Sequence, residues 1–201
     1  HSPGAGGLRA LVANRRFVLI VGFHAALLCV MSMTTSYLGP YLQDRDHAGD
    51  ATVGLLGSCV SLGEFMVGLS LGRLSGRVGR LGAILTLQAA LAVSLIALLT
   101  VHLTPLLVGP FLLRGVILTA SILLFAVVGG TLPSAHRGAG FGIMESSYQV
   151  GTMVGASVGG LLYAGGPSRP FEVSLVLLGA TMALSALMRP VFAKRQPGAA
   201  G

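Results

Sequence analysis

The chain has 201 residues, of which 53% are hydrophobic and 9% charged, with 30 glycines and a formal net charge of +7. Soluble domains carry about 25% charged residues, and a mean hydropathy of +0.84 leaves too few polar groups to cover a water-facing surface. The composition excludes an ordinary soluble domain and points to lipid as the solvent.

Six apolar segments of membrane-spanning length follow one another, at roughly 16–37, 51–71, 82–101, 104–129, 139–163 and 171–189. Each reaches the ~20 residues that a helix needs to cross ~30 Å of hydrocarbon. They are predicted as helices, because an open strand edge would leave backbone groups unpaired in lipid. The alternation of a barrel strand is absent. The expected fold is an all-α membrane protein, a bundle of six transmembrane helices. Residues 1–15 are expected as a cytoplasmic linker, 16–190 as the bundle and 191–201 as a cytoplasmic tail. Because the first residue is His1, a piece of a longer chain or a processed product is expected.

The first span is too long for a signal peptide and lacks a small-residue cleavage site. It carries His24, read first as a packing histidine and second as a proton carrier. Ser32, Thr34, Thr35, Ser36 and Tyr37 run to its far end. Hydroxyls in a membrane helix often bond their own backbone, so this run is weak evidence for a substrate path. Cys29 and Cys59 read as small packing residues, and no disulfide framework, metal site or cofactor is indicated.

The second span places Glu64 about thirteen residues in, on a small face with Gly57, Ser61, Gly68 and Gly72. It runs into Gly72-Arg73-Leu74-Ser75-Gly76-Arg77-Val78-Gly79-Arg80, three arginines in a glycine-rich turn between two apolar runs. The third span is nearly all Leu, Ala, Ile and Val, with Gln88 its notable polar side chain. The fourth holds Arg114 about ten residues in, roughly 15 Å deep at 1.5 Å per residue. A centrally placed Arg costs ~2.5–3.5 kcal/mol on insertion scales, so it should face a cavity or a partner. Glu64 lies at comparable depth. The two read equally as an ion pair fixing helix register and as a substrate or proton site.

The fifth span opens on Glu145, Ser146, Ser147, Tyr148 and Gln149, a polar cluster expected in a cytoplasmic vestibule or against another half. Gly151, Gly155 and Gly159 follow at every fourth residue, with Gly160 beside them. Such a stripe lets another backbone approach closely, as a static packing face or a sliding gate surface. The sixth span resembles the third, and both are expected at the periphery.

Ten basic residues (Arg9, Arg15, Arg16, Arg73, Arg77, Arg80, Arg137, Arg189, Lys194 and Arg195) fall on one side of this six-span scheme, and Arg45 and Arg169 on the other. That asymmetry predicts cytoplasmic termini and a multi-pass plasma (inner) membrane protein. It explains the net charge as a topology signal and speaks against nucleic acid as a partner. A shift of 87 residues aligns 65–74 with 152–161 at six identities in ten positions, and carries spans one to three onto four to six. Three helices per unit make this a 3+3 inverted repeat, units about 16–101 and 104–189, a design common among secondary transporters.

Gly72, Leu74, Ser75, Arg77, Gly79 and Arg80 resemble the G-x-L-a-D-R-x-G-R-R loop of the major facilitator superfamily, with Gly76 in the acidic slot and Leu81 in the place of a second basic residue. Residues 151–160 look like that family's g-x-x-x-G-P-x-x-G-G antiporter motif, Ala156 replacing proline. The resemblance implies half of the major facilitator fold, here helices seven to twelve, and no enzyme. It also implies that the first and fourth helices line the cavity. The expected function is secondary active transport of a small solute by alternating access, proton-coupled, with drug or metabolite efflux first among substrates. Glu64 or Glu145 is the expected coupling carboxylate, and Arg114 its partner or an anchor for an anionic substrate. His24, Ser32, Tyr148 and Gln149 complete the candidate pathway. Gly72, Arg73, Arg77, Gly79 and Arg80 form the gating loop, with Gly151, Gly155, Gly159 and Gly160 as packing motif. Expected partners are the solute, a proton, membrane lipids and a missing N-terminal half or a second copy. The alternative is a non-transporting packing or assembly subunit, in which Glu64 and Arg114 are paired and no midplane cavity exists. A membrane-embedded enzyme ranks last, since no metal cluster, nucleophile elbow or phosphate loop is present.

Overall fold

The computed structural model describes residues 11–102 and 104–192, and these are helical almost throughout. The helices are α1 (Arg15–Thr35), α2 (Leu38–Asp46), α3 (Asp50–Thr100), α4 (Val108–Arg114), α5 (Val116–Thr131), α6 (Ser134–Gly165), α7 (Arg169–Leu187) and α8 (Arg189–Phe192). Asn14 caps α1, its side chain accepting from the Phe17 amide at 3.2 Å. His47, at φ 52° in the left-handed region, stops α2.

Among the described residues, four helical runs are long and apolar enough to cross a membrane: Arg15–Asp46, Asp50–Thr100, Pro105–Thr131 and Arg169–Leu187. The 51-residue run α3 contains the predicted second and third spans. It is broken at Gly79, whose φ of 75° and ψ of 172° belong to no helix. Only glycine adopts such a backbone without cost. The two arms, 50–78 and 80–100, double back on each other. Gln43 of α2 donates to the Asp50 carboxylate at 2.7 Å, at the start of the first arm. Arg45, two residues on, donates to the carbonyls of Leu98 and of Val101, the latter at 2.8 Å, where the second arm ends. Both ends of α3 thus meet at α2, and Gly79 lies at the opposite end of the bundle. The fifth predicted span lies in α6, whose 32 residues suffice to cross but whose glycines and hydroxyls leave it less apolar than the four runs above.

α1 runs through the centre. Phe17, Ile20, Phe23, Leu27, Val30 and Met31 are buried on it, against α5, α6 and α7. The α1–α6 contact is a backbone approach. A methyl added at Gly151 would lie 2.6 Å from the Ala25 carbonyl oxygen, one at Gly159 2.6 Å from that of Met33, and one at Gly155 would overlap the Cys29 backbone. The stripe is therefore a packing seam against α1. The first arm of α3 meets the α4–α5 junction likewise: a methyl at Gly63 would overlap the Leu112 backbone, and one at Gly115 the Glu64 backbone. Shifted by 87, the Gly151–Ala25 approach becomes 64–112, one residue from the Gly63–Leu112 contact. Gly57, Gly68 and Gly72, by contrast, have open space where a side chain would stand, so the small face of the second span is mostly unused within this bundle.

α7 lies at the edge of the bundle with Val176 and Leu187 exposed, whereas the second arm of α3 buries Ala83, Ile84, Leu87, Leu91, Leu95 and Leu98. The first arm, with Leu55, Phe65 and Leu69 exposed, is the more open of the two, so the expectation of a peripheral third span is not met within this bundle. Gln88 is fully buried on that second arm. It donates to Thr181 Oγ1 at 3.2 Å and accepts from Ser185 Oγ at 2.9 Å, tying the arm to α7.

Candidate functional site

Arg114 ends α4 where the helix breaks for one residue at Gly115 before α5 begins. Because Gly115 carries no side chain, this junction presses against the Glu64 backbone, which sets the arginine at the depth of Glu64. The side chain is 1% exposed. Its Nη2 donates to Thr34 Oγ1 at 2.8 Å and to Thr35 Oγ1 at 3.3 Å. Those hydroxyls also donate to the Met31 carbonyl, each at 3.0 Å, so each is oriented to accept from the guanidinium. Nη1 is buried and makes no hydrogen bond among the described residues.

Arg114 is among the residues around a cavity of about 290 Å³ whose other polar lining is Ser32, Thr35, Ser36, Glu64, Tyr148 and Thr152. α1, the first arm of α3, the α4–α5 junction and α6 each contribute to it. Ser32 Oγ donates to the Thr152 carbonyl at 2.9 Å and staples α1 to α6 along one wall. Glu64 is half-buried and forms no ion pair among the described residues, with Arg114 or any other group.

Four of the sequence candidates thus converge: Glu64, Arg114, Ser32 and Tyr148. Glu145 and Gln149 do not join them. Both are exposed, and Gln149 Nε2 donates to Glu145 Oε1 at 3.2 Å. His24 is fully buried behind the cavity wall. Its Nδ1 lies 2.8 Å from Ser147 Oγ, and its ring stands edge-on to Phe125 with centroids 5.8 Å apart. Ser147 gives its proton to the Met144 carbonyl at 2.6 Å, so it accepts from His24 Nδ1. That bond accounts for Nδ1, while Nε2 is buried with no hydrogen-bond partner among the described residues.

At the other end of the bundle Gly72, Gly79 and Arg80 line a wider opening with Arg189, inside the bend of α3, while Arg73 and Arg77 are exposed. Arg80 reaches to within 3.8 Å of where a side chain on Gly130 would start. Gly160 receives the Tyr37 ring, which stacks on Tyr163 at 5.2 Å. Sequence reasoning assigned no role to Thr34 and Thr35 at Arg114. Their position on the same turn of α1 as Ser32 was the available signal.

A buried cation beside a cavity inside an apolar helical bundle marks a candidate functional site of a membrane protein. Residues 9–201, nearly the whole chain, match the family model described as Major Facilitator Superfamily. The chain belongs to the major facilitator superfamily. A search among curated proteins found no match. Membership makes the protein an integral membrane transporter of small molecules.

Proposed function

We propose that this superfamily member is a secondary active transporter in which the six helices rock against a second six-helix unit around the Arg114–Glu64 cavity. The second unit is a missing N-terminal half or a second copy, and the site binds its solute near the membrane midplane. The observation that carries the reading is Arg114 itself. It is a fully buried cation whose Nη1 is unsatisfied and whose described contacts are two neutral hydroxyls. A structural arginine in a membrane span is matched by a carboxylate or by backbone carbonyls, neither of which Arg114 meets among the described residues, and the packing-subunit alternative requires a sealed pair with Glu64, which is not found. An unmatched charge at that depth is costly unless a ligand or solvent meets it for part of the cycle.

Glu64 is the coupling carboxylate of choice, because it lines the cavity and Glu145 does not. Proton coupling, cytoplasmic termini and an inner-membrane location complete the proposal, supported by the concentration of arginines at the Gly79 end. The test uses proteoliposomes loaded with a pH-sensitive dye and challenged with a library of small solutes. Solute-coupled proton movement should vanish in Glu64→Gln and persist in Glu145→Gln. Undiminished movement in Glu64→Gln removes the coupling assignment.

A further inference from the structure

The cavity contains one positive and one negative group that do not neutralise each other by contact. Arg114 offers a free Nη1–H and Glu64 a carboxylate without an ion pair, both counted among the described residues. Tyr148, half-buried on α6, lines the same space, and its hydroxyl has no hydrogen bond among those residues. The net charge of this set is zero, but the charges are held apart.

A ligand with a single charge satisfies one of these groups and faces a like charge on the other. A simple anion on Arg114 faces the Glu64 carboxylate, and a simple cation on Glu64 faces the guanidinium. Like-charge juxtaposition of this kind costs several kcal/mol at interfaces, which is how charged sites reject wrong partners. A dipolar ligand meets both. The volume of about 290 Å³ sits at the low end of the ~300–1,000 Å³ usual for small-molecule sites, so the ligand is compact.

We infer that the cavity recognises a small zwitterion of the amino-acid type, its carboxylate on Arg114 and the Ser36 hydroxyl, its ammonium on Glu64. Arg114 suits the carboxylate because Nη1–H stands beside the Nη2 already fixed by Thr34, so the planar fork is pre-oriented. The Tyr148 hydroxyl serves whichever end extends toward α6. This reading rests on the transport proposal above and narrows its solute class. It also turns attention away from bulky drug-like molecules.

The test is a binding titration of the chain in lipid nanodiscs against three series matched in carbon number: short ω-amino acids, the corresponding monocarboxylates and the corresponding alkylamines. The best ω-amino acid should bind roughly ten- to a hundredfold tighter than the acid or the amine of its length, the size of one hydrogen bond to a charged group. Glu64→Gln should abolish the preference over the acid, and Arg114→Gln the preference over the amine. Equal or tighter binding of either singly charged series, or no binding of any ω-amino acid, overturns the inference. The ligand comparison on the unmodified protein decides even if Arg114→Gln fails to fold. Uptake of the same series into proteoliposomes separates the two proposals. A monocarboxylate that binds and crosses overturns the zwitterion and keeps the transporter. A zwitterion that binds without crossing keeps the site and overturns transport.

Discussion

A guanidinium at 1% exposure, with two threonine hydroxyls and, among the described residues, no carboxylate in contact, leaves an unmet demand for negative charge inside the bundle. Everything proposed about the site depends on that demand. Thr34→Val should cost about 1.5–3 kcal/mol in stability, because it removes a 2.8 Å bond to a buried charge. Thermal denaturation in detergent reads this directly, and a change near zero would mean that the guanidinium has moved to another acceptor. Arg114→Lys should retain the fold but lose most transport, since a lysine has no planar fork to place both a threonine bond and a ligand bond. Arg114 and Glu64 were legible in the sequence because an ionisable residue within an apolar run is a local signal. Glu145 gave the same kind of signal and lies elsewhere. It falls about a turn before Tyr148 along α6, out of reach of the cavity, and Gln149 points roughly 100° away from Tyr148 around the helix. Depth and phase relative to a neighbour are tertiary facts that composition does not carry. Thr34 was ambiguous for another reason: its hydroxyl does bond its own backbone, as expected, and serves the arginine as well.

At the scale of elements, two glycine stripes that look alike in the sequence have different fates. Gly155 packs against the Cys29 backbone, while Gly68, its counterpart under the 87-residue shift, has open space around it. Gly155→Ala should therefore destabilise by about 1–3 kcal/mol, as overpacking a tight contact does. Gly68→Ala should be neutral or slightly stabilising, since alanine is the better helix former. Comparing the two melting temperatures checks the assignment; equal losses would contradict it. The bend at Gly79 makes a similar case. The sequence showed a basic, glycine-rich turn, and the positive φ at Gly79 identifies which glycine is indispensable. Gly79→Val should cost on the order of 1–3 kcal/mol through backbone strain, whereas Gly76→Ala, with nothing within 4 Å, should not. The Gln88–Thr181–Ser185 cluster was missed because a lone glutamine in an apolar span does not announce its partners on another helix.

For the whole molecule, the doubling back of α3 turns four apolar runs into five crossings, α6 supplies the sixth, and the bend fixes which ends share a face. Cysteines introduced at Arg77 and Arg189 should react with a membrane-impermeant maleimide from one side of the membrane, and one at Asp50 from the other. Labelling of Arg77→Cys and Asp50→Cys from the same side would break the topology. The superfamily and the all-helical bundle were legible because apolar length, the basic loop and the repeat are long-range patterns written along the chain. The cavity was legible only as scattered polar residues, since its walls come from four separate helical elements. The central claim is that this cavity is open in turn to both sides of the membrane. The most direct test places a cysteine at Thr35, in a background with Cys29 and Cys59 replaced by alanine, and labels vesicles of both orientations with the same impermeant maleimide. The account predicts modification from both faces. Reaction from one face alone, or from neither, would contradict alternating access at this site.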